Sequence, residues 1–214
     1  TVGIKNIEQT ISEINEYVGL GFKYIKIKLG NDVDEDIRRV NIINETFGNT
    51  IKIRIDANQG SSLNDTIKFY DETKQIELIE QPISVDNLNN YLKLPSKIKD
   101  KIALDESLVN FDDAIKLSRD NYGKIFNIKL MKCGGITSGQ QIANQAYYNN
   151  IDLMWGCNDE SIISISAALN TALSFSNTKC LDLDGSFDLE KDIVSGGFKL
   201  KNGFLQPSDN PGLG

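Results

Sequence analysis

Residues 125–135 read Ile-Phe-Asn-Ile-Lys-Leu-Met-Lys-Cys-Gly-Gly, and the fold turns on how this stretch is understood. A short apolar run holds one lysine, Lys129, and then breaks at a glycine pair. That is the pattern of a buried strand whose end places a charge at the start of a loop. Alone it says little, because strand edges commonly carry solvated lysines. Similar stretches recur upstream: FKYIKIKLG at 22–30, IKIRIDAN at 51–58, IELIEQP at 76–82 and KIALDES at 101–107. Each is β-rich and ends in charge. The terminal ionisable residues are Lys28, Asp56, Glu80, Asp105 and Lys129, spaced by 28, 24, 25 and 24. A period near 25 holds one strand, one helix and two loops, so the chain reads as a βα repeat.

Outward from these runs the alternation continues. Ile7, Ile11, Ile14 and Val18 form a helical stripe in residues 6–20, closed by Gly19 and Gly21. Asp32 or Asp34 caps a helix running to about Phe47, and further helices start near Ser61, Asp86, Asn110 and Thr137. Residues 161–174 predict a small-residue helix suited to close packing on a sheet. Strands fall at 22–29, 51–56, 76–80, 101–104, 124–129, 152–156 and 180–183, with residues 1–4 as the tail of another. Eight strands in alternation predict an α/β fold of the (β/α)8 type, a TIM-like barrel in the (β/α)7β form. A doubly wound sheet is the rival, but it gives no reason for charge at the end of nearly every strand. In a barrel those ends converge on one mouth. The barrel occupies residues 1–187, and 188–214, with Gly196-Gly197, Asn202-Gly203 and two prolines, read as a hairpin and tail.

The composition excludes several function classes. At 214 residues the chain can bury a substantial core. A net charge of −7 argues against nucleic acid, whose phosphates need a basic face. No apolar run approaches the ~18 residues of a membrane span, and three cysteines without a CxxC suit a reducing cytoplasm. The most useful count is zero: there is no histidine. Ser-His and Cys-His triads, His-ligated zinc and a His base are thereby removed. Proton chemistry must use lysines or carboxylates.

Asp56, Glu80 and Asp105 come from three successive strands. Any one of them could be an ordinary helix cap. Three in register, one a Glu that rarely caps, suggest instead an oxygen-only site for a hard cation, most readily Mg²⁺. Lys26 and Lys28 share one face of their strand, and Lys129 lies four strands on, across a barrel mouth. Two lysines on opposite sides of a substrate suit removal of a proton from one face and its return to the other, and a neighbouring cation makes such a lysine available as a base. Acid–base catalysis contributes roughly 3–5 kcal/mol where enzymes need about 8–23, so a charge that stabilises an enolate-like anion is also required.

The segments Lys26-Ile-Lys28, Asp56-Ala-Asn58, Glu80-Gln81-Pro82, Asp105-Glu106-Ser107, Asn127-Ile-Lys129-Leu-Met-Lys132 and Asp182-Leu-Asp184-Gly185 together resemble the enolase superfamily. The subgroup they resemble is the muconate-lactonising one, most closely its dipeptide epimerases of the L-Ala-D/L-Glu type. The resemblance implies a Mg²⁺-dependent isomerase that moves the α-proton of a dipeptide's C-terminal residue through an enediolate. It implies Asp56, Glu80 and Asp105 as metal ligands and Lys28 and Lys129 as the two acid/base catalysts. Lys26 would contact the substrate carboxylate and favour the neutral form of Lys28. Asp182 and Asp184 would bind the dipeptide's α-ammonium, and Thr1 and Cys157 would line the pocket, with Asn58 and Glu106 behind the first layer of contacts. Such proteins also carry an N-terminal capping domain, to which the 188–214 tail would return. The loop 156–161 (Gly-Cys-Asn-Asp-Glu-Ser) holds polar residues where relatives often have apolar ones, so the preferred side chain stays open. So do a homo-oligomer and the related activities: N-acylamino acid racemase, o-succinylbenzoate synthase and cycloisomerase. Outside that subgroup, a catalytically idle metal-binding barrel and a Schiff-base aldolase using Lys129 are the alternatives.

Overall fold

The structure, a computed structural model, describes residues 1–30 and 32–214. It divides into two compact units, Thr1–Ser107 and Leu108–Gly214. In the first, polar caps decide where helices begin. Asn6 accepts from the Gln9 N–H and starts α1 (Ile7–Gly19). After β1 (Tyr24–Lys28), Asp32 accepts from the Asp34 and Glu35 N–H groups and starts α2 (Val33–Phe47). After β2 (Lys52–Asp56), Ser62 and Asp65 form a reciprocal capping box at the head of α3 (Leu63–Glu72). Next come β3 (Ile76–Glu80), a 3₁₀ segment (Val85–Lys93), α4 (Ser96–Lys99) and β4 (Ile102–Leu104). The four strands pair in chain order and all run parallel. Ile27, Ile53, Ile55, Leu78 and Ile79 are fully buried between them and the helices, as strands covered on both faces require.

Two expectations change in this unit. In place of a strand over residues 1–4, only Val2 pairs, in a single parallel bridge to Ile27. Its N–H donates to the Lys26 carbonyl at 2.8 Å and its carbonyl accepts from the Lys28 N–H at 3.0 Å. The chain then turns at once towards its Asn6 cap, which leaves no length for a longer ladder. In place of a helix near Asp86 there is a 3₁₀ segment, because Asn87 leaves helical geometry (φ −112°, ψ 27°) and Pro95 stops regular continuation.

In the second unit, Asn110 and Asp113 make another capping box, opening α5 (Phe111–Asp120). Then follow β5 (Ile125–Ile128), a single turn α6 (Leu130–Cys133), and α7 (Ile136–Tyr148). The α6 turn lies outside the expected alternation; it ends at Gly134, whose φ of +91° suits glycine. After β6 (Asp152–Gly156), Ser161 caps α8 (Ile162–Leu173), and β7 (Thr178–Asp182) follows. β5, β6 and β7 pair in parallel. The small residues of α8, among them Ala168 and Ala172, are buried. Residues 188–214 contain an antiparallel hairpin of β8 (Phe198–Lys201) and β9 (Phe204–Pro207). Asn202 and Gly203, at φ +52° and +76°, supply its tight turn. The Asp192 carboxylate accepts from Ser161 Oγ at 2.7 Å and from the Ile162 N–H at 2.6 Å, and Phe198 meets Phe187 edge-on. The tail is therefore anchored to the start of α8. Among the described residues no helix is long and apolar enough to cross a membrane.

Candidate active site

In the first unit the strand register lines up the charged ends. Lys28 is level with Asp56, Asp56 with Glu80, and Glu80 with Ala103, two residues before Asp105. Asp56, Glu80 and Asp105 are all buried, at 1%, 0% and 3% exposure. Buried carboxylates need cationic partners, and β1 supplies two. Lys26 Nζ lies 3.3 Å from Glu80 Oε2 and 3.7 Å from Asp56 Oδ2. Lys28 Nζ donates to Asp56 Oδ2 at 2.6 Å and to Asn58 Oδ1 at 2.7 Å. Lys26 is nearly buried while the Lys28 side chain keeps 30% of its surface in solvent, so of the two Lys28 is the more open to an incoming molecule. Thr1 stands one residue before the Val2 bridge that flanks Lys26 and Lys28.

Asp105 is placed by residues whose roles the sequence did not reveal. Gln81, at φ +32°, turns its amide oxygen to the Asp105 and Ser107 N–H groups at 3.0 and 3.2 Å. Its Nε2, with two hydrogens to give, lies within hydrogen-bond distance of Ser107 Oγ, the Ile83 carbonyl and the Tyr91 hydroxyl. Burial pushes the Tyr91 hydroxyl's pKa up, and it stays a neutral donor to the Ile83 carbonyl at 2.7 Å. The only sequence signal was the polar Gln81 between a strand end and Pro82.

Among the described residues no three His, Cys, Asp or Glu side chains are gathered closely enough to hold a metal ion. The structure brings Asp56 and Glu80 to one rung, with lysine ammonium groups against them, and sets Asp105 just past the next strand. The donor chemistry still fits Mg²⁺: the acids are oxygen-only and buried, with none of the His and Cys that select softer metals.

In the second unit, Lys129 is the residue between β5 and α6, in extended geometry (φ −119°, ψ 120°). Asn127, two residues back, is fully buried, and the Lys132 ammonium donates to its carbonyl at 3.2 Å. Cys157 follows β6 and meets the Asp182–Gly185 segment. Its Sγ donates to the Asp182 carbonyl at 3.2 Å, lies 3.9 Å from Asp184 Oδ1, and accepts from the Gly185 N–H at 3.3 Å. Burial, and then the charge of Asp184, pushes the thiol's pKa up to about 12. Gly185 has a steric reason, because a Cβ there would collide with the Asn158 carbonyl. Glu160, which accepts from the Asn158 N–H and from Ser164, braces the same loop. Asp182 and Asp184 are half-buried on either side of the buried Leu183; Asp182 is the last residue of β7 and Asp184 lies two residues past its end, so the strand expected to carry both stops short of the second.

The profile of the family described as "Enolase C-terminal domain-like" matches residues 9–214. The chain belongs to that family. The α/β barrel class of this enolase-type domain is the one read from the sequence. An L-Lys-D/L-Arg epimerase of Desulforapulum autotrophicum is 48% identical over the whole chain, which covers 61% of that relative. A hydrophobic dipeptide epimerase of Enterococcus faecalis is 37% identical, again over the whole chain, which covers 62% of that relative. The crystal structure of a dipeptide epimerase from Methylococcus capsulatus, complexed with Mg and the dipeptide L-Arg-D-Lys, superposes with a TM-score of 0.96 at 43% identity. That match covers 100% of this chain and 61% of the other. The enolase-type domain described here thus spans under two thirds of the length of the relatives it matches.

Proposed function

We propose that this chain is the catalytic domain of a cytoplasmic, Mg²⁺-dependent dipeptide epimerase, completed by a capping domain of the same protein. The observation that carries the reading is the Lys28 side chain, held by Asp56 and Asn58 on the same strand face as Lys26 and beside buried carboxylates. Lys28 takes or returns the α-proton at Nζ for one epimer, and Lys129 does so for the other. Lys26 binds the substrate carboxylate. Asp56, Glu80 and Asp105 would hold Mg²⁺, whose charge when bound offsets the negative charge that grows on that carboxylate as the proton leaves. Asp182 and Asp184 accept hydrogen bonds from the dipeptide's α-ammonium, which relieves the repulsion between them. Thr1 and Cys157 line the pocket, and a neutral Cys157 thiol adds no third negative charge beside the two aspartates.

Dipeptides carrying Lys or Arg are proposed to react ahead of L-Ala-L-Glu. The names of the relatives suggest this, and the exposed Asp159 after β6 and the net charge of −7 agree with a cationic substrate. The test is a dipeptide library incubated with the full-length protein in D₂O and read by mass spectrometry. Deuterium should enter the C-terminal residue's α-position, fastest in cationic dipeptides. Uptake confined to N-acylated amino acids would transfer the assignment to an acylamino acid racemase, and a substrate adduct trapped by borohydride would transfer it to an aldolase.

A further inference from the structure

We propose that Glu106 is a positioning residue for Lys28 and acts through the side chain of Asn58. This rests on Lys28 being one of the two bases. The Asn58 amide joins the two: its Oδ1 accepts from Lys28 Nζ at 2.7 Å, and its Nδ2 donates to Glu106 Oε1 at 3.4 Å. The other Glu106 oxygen, Oε2, is buried with no hydrogen-bond partner. The Asn58 backbone is pinned, its φ at +41° and its N–H donating to Asp56 Oδ1 at 3.0 Å. Only the amide is left to turn. Turned over, it would set an NH₂ donor against the Lys28 ammonium and its oxygen against the Glu106 carboxylate. A carboxylate only accepts, so Glu106 makes that orientation unfavourable and keeps Oδ1 on Lys28. Lys28 has three N–H directions; Asp56 and Asn58 fix two of them, and the third remains for substrate. Glu106 touches neither substrate nor the reacting atoms.

The test uses the full-length protein and follows α-deuterium uptake from each dipeptide epimer separately. Glu106→Ala should slow the epimer served by Lys28 about two- to tenfold in kcat, the scale of one hydrogen bond, with KM little changed. The epimer served by Lys129 should keep its rate. Glu106→Gln, whose oxygen still accepts from Asn58, should recover most of the loss and carries the test if the alanine variant does not fold. The double variant Asn58→Ala with Glu106→Ala should lose no more than Asn58→Ala alone. Equal slowing of both epimers, additive losses, or a Gln variant as impaired as Ala would overturn the proposal. A wild-type protein that exchanges neither epimer would instead remove the role of Lys28 itself, and this proposal with it.

Discussion

Cys157, proposed above to line the substrate pocket, shows how burial keeps a thiol neutral. Burial and Asp184 raise its thiol to about 12. At pH 9 an ordinary thiol is largely ionised, whereas Cys157 would be thiolate at roughly one part in a thousand. Iodoacetamide at pH 9 should therefore label Cys157 roughly 500-fold more slowly in the folded protein than in urea, as read by peptide mass spectrometry; equal rates would mean an exposed or ionised thiol. Its neighbour Asp184 is expected to matter for binding. Asp184→Asn should lower kcat/KM for a dipeptide about ten- to a hundredfold, the scale of a lost charged hydrogen bond. An N-acetylated analogue, with no ammonium, should be turned over almost equally by both proteins. At this scale the placing of Lys28, Asp56 and Glu80 at strand ends, and of Asp105 just past one, was legible because each closes a recognisable apolar run. The hydrogen bonds of Gln81 to Asp105 and of Asn58 to Glu106 were not, because these partners lie 24 and 48 residues apart in the sequence; the resemblance placed Asn58 and Glu106 behind the first layer of contacts without pairing them.

The elements were readable where a cap and an apolar stripe agreed. Asn6, Asp32, Ser62, Asn110 and Ser161 all stand at helix starts and accept backbone N–H groups. Ser62→Ala should cost about 1 kcal/mol of stability, measurable by urea unfolding, because it opens a capping box on α3. The α6 turn and the 3₁₀ segment leave no clear signal because both are short and break the 3.6-residue period. The tail tether gives a pH test. Hydrogen bonds from the Ile162 N–H, then from Ser161, hold the Asp192 carboxyl below its ordinary 3.8. A depressed pKa stabilises the fold above the unfolded value and is lost as pH falls through the folded one. The effect of Asp192→Asn on the unfolding midpoint should therefore be largest near neutral pH and shrink below about pH 4. A difference that stays constant from pH 7 to pH 3 would contradict it.

For the whole molecule, the repeat of strand-end charges, read alone, implied the fold class, since few architectures bring one charged end of every strand together at a period near 25. What the repeat could not give was how the acids are paired. Lys26 lies against Asp56 and Glu80, and Lys28 against Asp56, a long-range arrangement that periodicity does not encode. If the acids do hold Mg²⁺, EDTA should abolish α-proton exchange and added Mg²⁺ should restore it; exchange that survives exhaustive chelation would exclude the metal. The central claim is that two lysines serve one epimer each, and Lys28→Ala in the full-length protein tests it most directly. Epimerisation should vanish in both directions, while α-deuterium uptake survives for the one epimer served by Lys129. Epimerisation at the wild-type rate, or loss of exchange from both epimers in a folded variant, would contradict the two-lysine account.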